Sequence, residues 1–358
     1  MRYFLIVWIV LTLAACGQQG TDQSAENEAE STVIKPAYVT PTLPNDSDDP
    51  AIWINERDPA ASLIFGTDKH EKTGGLYAFT ITGEIDSSRS VYPLDRPNNV
   101  DIAYGLKFAD STVDIAVVAE RMTQSLRVFS IPDMTPIDGG GIPVFEDDTA
   151  RAVMGIALYT NPSDGELYAI ASRKENPVDE DDYLYQYQLV YDSGQIKGNL
   201  VRKFGKFSGS GEVEAIAVDN ELGYIYYSDE SFGVRKYYAD PAKGNEELAV
   251  FGKGVYAEDR EGISIYKATD STGFVLVSDQ AANLFRVYPR EGTDGDPHNH
   301  PEMAVLPLST RSSDGSEVSS VSFTEEFDKG LFVAMSDNRT FEIYDWKALE
   351  DGIKKQLK

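Results

Sequence analysis

Residues 154–190 carry the run Met154-Gly155-Ile156-Ala157-Leu158-Tyr159, then Glu166-Leu167-Tyr168-Ala169-Ile170-Ala171-Ser172, then Tyr183-Leu184-Tyr185-Gln186-Tyr187-Gln188-Leu189-Val190. Short runs rich in Tyr, Ile, Val and Leu, separated by Asn-Pro, Asp-Gly and acidic loops, read as strands joined by tight connections. The triplet recurs at Ala215-Ile216-Ala217-Val218, Tyr224-Ile225-Tyr226-Tyr227 and Val234-Arg235-Lys236-Tyr237. It returns at Gly262-Ile263-Ser264-Ile265, Phe274-Val275-Leu276-Val277 and Leu284-Phe285-Arg286-Val287. Similar runs lie upstream at 51–54, 62–67, 75–81, 99–106, 113–120 and 126–131, and downstream at 318–323, 330–336 and 341–346. No segment shows a long helical period. About twenty strands in one array are too many for a simple sandwich and indicate radial repetition. A period of roughly 50 residues sets the expectation of an all-β fold, a six-bladed β-propeller of four-stranded antiparallel blades over 38–350, with a tail at 351–358. Strand counting by itself also accommodates five or seven blades.

Composition agrees with a folded body. The chain has 358 residues, 41% of them hydrophobic and 11% aromatic, enough for a large core. Its formal net charge of −27 repels nucleic acid, so none is expected as a partner. Such acidity either keeps a surface soluble or gathers oxygen ligands for hard divalent cations.

The first residues have a different character. The apolar stretch from Tyr3 to Ala15 is short for a membrane span and the right size for a secretory leader. It ends Leu13-Ala14-Ala15-Cys16-Gly17, and Cys16 is the only cysteine. This pattern looks like a bacterial lipobox, with residues 1–15 removed and Cys16 lipidated. Residues 16–37 then form a polar tether, since they lack the apolar mass to offset the entropy of folding. Gly17 lacks the acidic signal for inner-membrane retention, so the expected location is the cell envelope, at the outer membrane, held by a lipid anchor alone. The domain itself is expected to act as a monomer.

Several chemistries drop out. No thiol nucleophile remains after Cys16, and His70, His298 and His300 lie in no Arg-His-Gly context. His298 and His300 sit in a polar loop without a third ligand and read as solvated. What remains is carboxylates with a few cations among them. Asn45-Asp46-Ser47-Asp48-Asp49-Pro50 places adjacent acids before a strand, either as an Asx-rich turn or as a collection of oxygens for Ca2+.

These residues carry a resemblance. Asp48-Asp49-Pro50-Ala51-Ile52-Trp53, Gly66-Thr67-Asp68-Lys69 ahead of Gly75-Leu76, and Asn98-Asn99-Val100-Asp101-Ile102 resemble, in order and spacing, the β-propeller phytases. The resemblance continues through Lys174-Glu175, Glu214, Asp229-Glu230, Asp259-Arg260-Glu261-Gly262, Ser278-Asp279-Gln280 and Ser313-Asp314-Gly315. It implies an acidic cleft at one end of the propeller axis, with several Ca2+ ions bridging carboxylates to the phosphates of an inositol phosphate. By position, Asp48, Glu214, Glu230, Glu261 and Asp314 correspond to ligands of a catalytic calcium cluster, and Asp259 and Gln280 are metal-site residues. Asp49, Asn99 and Asp101 correspond to a structural calcium at the top of the first blade. Lys69, Arg121 and Lys174 correspond to phosphate contacts, with Glu175 beside them helping to hold the metal site.

Elementary chemistry accords with that assignment. A cleft this acidic repels a phosphate ester until cations reverse the local field, and such a cation also activates water for in-line attack on phosphorus. Two departures stand out: Met154 replaces the Tyr of a Tyr-Gly pair, and Leu306-Pro307-Leu308 stands where the family has an acid. Three readings follow: a calcium-dependent phytase; a non-catalytic propeller, stabilised by calcium, that binds a polyanion or protein; and, last, a propeller esterase, which lacks a suitable histidine.

Overall fold

The computed structural model describes residues 33–174 and 181–357. The expected leader, Cys16 and the tether up to residue 32 lie outside the described residues, as does Glu175. Pairing begins at Ile34, which bridges Leu308.

Six antiparallel sheets follow one another along the chain as blades. Blade 1 runs Ser47–Trp53, Leu63–Asp68, Gly74–Thr80 and Val91–Leu94; blade 2 runs Pro97–Phe108, Ser111–Glu120, Ser125–Ile131 and Ile142–Pro143, with Thr135–Pro136 beside its third strand. Blade 3 is Val153–Thr160, Leu167–Arg173, Leu184–Asp192 and Gln195–Phe204, and blade 4 is Ile216–Asp219, Tyr224–Asp229, Gly233–Tyr238 and Ala249–Phe251. Blade 5 is Arg260–Lys267, Gly273–Asp279, Leu284–Pro289 and Ala304–Pro307. In blade 6, Ser316–Ser319, Leu331–Ser336 and Thr340–Asp345 take their outer strand from the other end of the chain: Tyr38–Val39 pairs Ile343 and Glu342. The N-terminal strand therefore latches the ring shut.

Each blade is covered on both faces, which explains why its strands read as nearly continuous apolar runs. Six apolar clusters fill the interfaces between neighbouring blades, including Val117, Val128, Ile156 and Tyr185 between blades 2 and 3, and Phe79, Val333 and Phe341 between blades 6 and 1. The fold is the expected six-bladed propeller, with one correction at the C-terminus. The expected tail continues a helix, Trp346–Gln356, capped by the Asp345 carboxylate. Its Trp346, Leu349 and Ile353 are buried beside Leu306 and Leu308, and Trp346 stacks on Tyr266 at 3.6 Å. Leu306 and Leu308 are thus core residues of the outer wall. Among the described residues, no helix is long and apolar enough to cross a membrane.

Candidate active site

The inner strands start with a shared irregularity. Pairing with the second strand skips from Ser47 to Pro50, from Pro97 to Val100, from Val153 to Ile156 and from Arg260 to Ile263. Each bulge leaves a pair of residues free of the ladder and re-aims their side chains. In blades 4 and 6 the corresponding pairs precede the strands that start at Ile216 and Ser316. The first members of these pairs, Asp48, Asn98, Met154, Glu214, Glu261 and Asp314, gather at one end of the axis. Small second members let neighbouring backbones approach: a Cβ on Gly155 would stand 1.9 Å from the Glu214 carbonyl oxygen, and one on Gly315 2.7 Å from that of Asp48.

In an antiparallel blade the end of the second strand lies beside the start of the first. The residues just past those ends are Lys69, Arg121, Lys174, Glu230, Gln280 and Asp337. The cleft is therefore polarised: cations come from blades 1 to 3, and acids and an amide from blades 4 to 6. The last residue of each second strand fixes the loop that enters its own blade. Asp68 accepts from the Asp46 N–H at 2.6 Å, Glu120 from Asp95 at 2.8 Å, Asp229 from Ser208 at 2.9 Å and Asp279 from Ala257 at 3.1 Å. These acids brace the site rather than line it.

The contacts join the two sets of residues. Lys69 Nζ donates to Asp48 at 2.7 Å and to Asp314 at 2.9 Å, bridging blades 1 and 6. Asn98 Nδ2 reaches Asp48 at 3.1 Å, and Gln280 Nε2 donates to Asp314 at 2.5 Å. The Arg121 guanidinium ends on Met154 Sδ, and Lys174 pairs with Glu212. Carboxylate oxygens of Glu212, Glu214 and Glu230 lie within 4.8 Å of one another.

Burial and mutual repulsion hold the carboxyls of the acidic half protonated more strongly than in water. Burial, then the charges of Asp48 and Asp314, lifts the Glu214 carboxyl well above its ordinary value, and burial with Glu230 and Glu214 does the same to Glu261. Glu230 is pushed up to about 7 by burial and by Asp259, and Asp314 to about 6, chiefly by burial. Burial alone would depress Lys69, but Asp48 and Asp314 override it and hold its proton firmly. Burial and the Arg121 charge lower Lys174, with a smaller contribution from Arg96. Glu261 Oε2 and Asn98 Oδ1 are buried without a hydrogen-bond partner. Orphaned acceptors among crowded carboxylates fit a hard cation with all-oxygen coordination.

The expected structural-calcium residues fall elsewhere, which is a correction. Asp49 belongs to blade 1, but Asn99 and Asp101 lie on the inner strand of blade 2, and all three line an axial cavity of about 300 Å³ below the cleft. The alternation of strand faces past the bulge separates Asn99 from Asn98. Asp49 accepts from Val100 N–H at 3.0 Å, and Asp101 from Ile102 and Leu158, both at 2.6 Å. Glu317, which the sequence did not single out, shares the cavity. Burial raises Asp101 to about 7 and Glu317 to about 8. His300 is also corrected: it is buried, with Nδ1 at 2.7 Å from the Pro289 carbonyl oxygen and Nε2 at 3.1 Å from Lys236.

Sequence reasoning also passed over Glu212 and Arg96. Arg96 adopts φ +59°, and its main chain links the loops that follow Lys69 and precede Arg121's turn: its N–H donates to the His70 carbonyl at 2.9 Å and its carbonyl accepts from the Arg121 N–H at 3.0 Å. Its Nε is buried without a partner. A left-handed non-glycine residue between motifs is a structural signal that no sequence pattern discloses.

This geometry defines a six-bladed propeller whose axial cleft sets buried carboxylates from blades 4 to 6 against cationic side chains from blades 1 to 3. The sequence matches the Phytase family over residues 4–356, and the chain belongs to that family. It is 26% identical over 334 residues to the 3-phytase of Bacillus subtilis (strain 168), covering 85% of this chain and 80% of that protein. Similar solved structures include a chain of the mitotic checkpoint complex, at TM-score 0.47 and 10% identity, covering 96% of this chain and 99% of that one. The Dos1 propeller matches at TM-score 0.42 and 12% identity, covering 84% and 68%.

Proposed function

We propose that this chain is a calcium-dependent phytase that releases phosphate from myo-inositol hexakisphosphate and related inositol phosphates. The observation that carries the reading is the polarised cleft, in which the unpartnered Glu261 Oε2 lies buried among Glu214, Glu230 and Asp314, opposite Lys69, Arg121 and Lys174. Glu214, Glu230, Glu261, Asp314 and Asp48 would hold Ca2+, with Asp259 and Gln280 supporting them. When bound, the cations neutralise phosphate charge and acidify coordinated water.

The chain's own residues do the rest. Lys69 stays protonated across the physiological range and presents a fixed charge between Asp48 and Asp314. Arg121 and Lys174 would face phosphate oxygens from the next blades, and Arg96 adds a fourth cation near Lys174. Fixed cations around the reacting phosphate stabilise charge that develops on its equatorial oxygens without reorganising. Asn98, bonded to Asp48, holds that carboxylate toward the cleft. We further propose that Asp49, Asn99, Asp101 and Glu317 hold a structural cation in the axial cavity, and that Cys16 carries a lipid anchor at the outer membrane.

The experiment is phosphate release from calcium phytate, with and without chelator, beside a Glu214→Gln variant. Calcium-dependent release that the variant abolishes supports the proposal. A folded protein that binds calcium and releases no phosphate replaces it with the non-catalytic binding propeller.

A further inference from the structure

Glu212 stands where the two halves of the cleft meet. Its position is built into the fold. The Glu212 N–H donates to Glu230 Oε2 at 2.7 Å, and the Glu230 N–H donates back to the Glu212 carbonyl at 3.2 Å. The preceding loop is pinned by Asp229, which accepts from both the N–H and the hydroxyl of Ser208 at 2.9 and 2.6 Å. Gly211 takes the left-handed turn, φ +73°, that brings Glu212 against Glu230. The Glu212 carboxylate therefore meets two demands: it pairs with Lys174, and it lies within 4.8 Å of ligand oxygens of Glu214 and Glu230. Both members of the pair keep solvent access, at 39% for the Lys174 side chain and 24% for Glu212, so the pair can part without unpacking the core.

A second observation points to a ligand at the same place. Glu261 is 6% exposed, its Oε2 has no hydrogen-bond partner, and its carboxyl is perturbed most, after burial, by Glu230 and Glu214. A buried carboxylate oxygen left open among other carboxylates is the arrangement that a divalent cation completes.

We propose that Glu212 couples cation loading to phosphate capture: without a cation it holds Lys174, and a cation seated on Glu214 and Glu230 draws its carboxylate in as a further ligand, releasing Lys174 to the substrate phosphate. This rests on the calcium-dependent reading above. Its chemistry is an exchange of partners, with no bond made or broken, and it makes phosphate affinity depend on calcium through one side chain.

The test is isothermal titration of the purified chain with Ca2+ alone, then with inorganic phosphate in the presence of chelator, for wild type and Glu212→Gln. The proposal expects the variant to bind Ca2+ about tenfold more weakly. It also expects phosphate to bind the metal-free variant more tightly than metal-free wild type, since Lys174 is no longer occupied. Lys174→Met supplies the independent arm: it should tighten Ca2+ binding in wild type by freeing Glu212, and the gain should shrink in the Glu212→Gln background, a non-additivity that a purely structural glutamate does not produce. Unchanged Ca2+ and phosphate affinities in Glu212→Gln, or additive effects of the two substitutions, overturn the coupling while leaving the phytase reading intact. A wild-type chain that takes up no Ca2+, or a Glu214→Gln variant that binds it normally, overturns both.

Discussion

Lys69 Nζ lies 2.7 Å from Asp48 Oδ1, with the Asp48 side chain fully buried and the lysine largely so. Breaking one half of a buried pair leaves the other charge uncompensated, at a cost of about 3–5 kcal/mol. Lys69→Met should therefore lower the melting temperature of the chelated protein, because Asp48 and Asp314 lose their shared cation. Added Ca2+ should restore much of that stability, since it can neutralise the same carboxylates, but it should not restore turnover. Melting curves with chelator and with Ca2+, beside phosphate release, separate the two roles. Equal losses in both conditions would show that the cation site and the lysine do not share these acids.

The raised carboxyls predict a pH signature with a definite sign. Glu230 moves from an ordinary 4.5 to about 7, and Asp314 from 3.8 to about 6. Between roughly pH 4 and 7 the folded, metal-free protein thus holds protons that the unfolded chain has released, so its stability falls as pH rises through that window. Chelated protein should melt several degrees higher at pH 5.5 than at pH 8. Cations need these groups deprotonated, so Ca2+ binding should weaken below about pH 7 and release more protons at pH 6 than at pH 8, because Glu230 and Asp314 give up theirs only at the lower pH. Calorimetry in two buffers of different ionisation heat counts those protons. Equal release at both pH values would sink the assignment of Glu230 and Asp314 to the cation site.

The inner two or three strands of each blade were legible because both their faces are buried, which leaves long apolar runs such as Ile115, Ala116, Val117 and Val118. Most outer strands were not. Val91–Leu94, Gln195–Phe204 and Ala304–Pro307 pair on one side only, and Gln195–Phe204 buries only Ile196, Arg202 and Phe204, so no apolar pattern announces it. The helix at Trp346–Gln356 buries only Trp346, Leu349 and Ile353, a stripe too narrow to stand out among Lys and Glu. At the site, acids and bases directly flanking apolar strands were readable by order and spacing. Glu212 and Arg96 were not, because a Ser-Gly loop and a left-handed residue place them. The division between Asn98 and Asn99 depended on a bulge, which changes the face that each presents.

Arg121 ends on the sulfur of Met154, a weak acceptor for a guanidinium. A phenol at this position would offer an oxygen both to Arg121 and to the cation site. Met154→Tyr should therefore raise kcat/KM for phytate by about tenfold, the order expected of a hydrogen bond to a charged group. Steady-state phosphate release measures it. A loss of activity instead would show that the cleft is packed around the thioether.

The seam that closes the ring also runs through the site. Asp48 enters from blade 1 and Asp314 from blade 6, and Lys69 spans them. What holds these blades together beyond their shared core is the N-terminal strand. Ala37 N–H donates to Ile343 at 2.7 Å, Thr40 N–H to Phe341 at 3.0 Å and Leu43 N–H to Arg339 at 2.8 Å, while Phe341 N–H donates to Thr40 Oγ1 at 2.9 Å. At about 1 kcal/mol for each hydrogen bond, deleting this strand should cost several kcal/mol. A chain begun at residue 44 should melt well below one begun at residue 34. It should also bind Ca2+ more weakly, because the separation of Asp48 from Asp314 is no longer fixed. Calorimetric melting and Ca2+ titration of the two chains check this together. Lower stability with unchanged Ca2+ affinity would mean that Lys69 alone aligns the seam, and that the latch serves the fold without tuning the site.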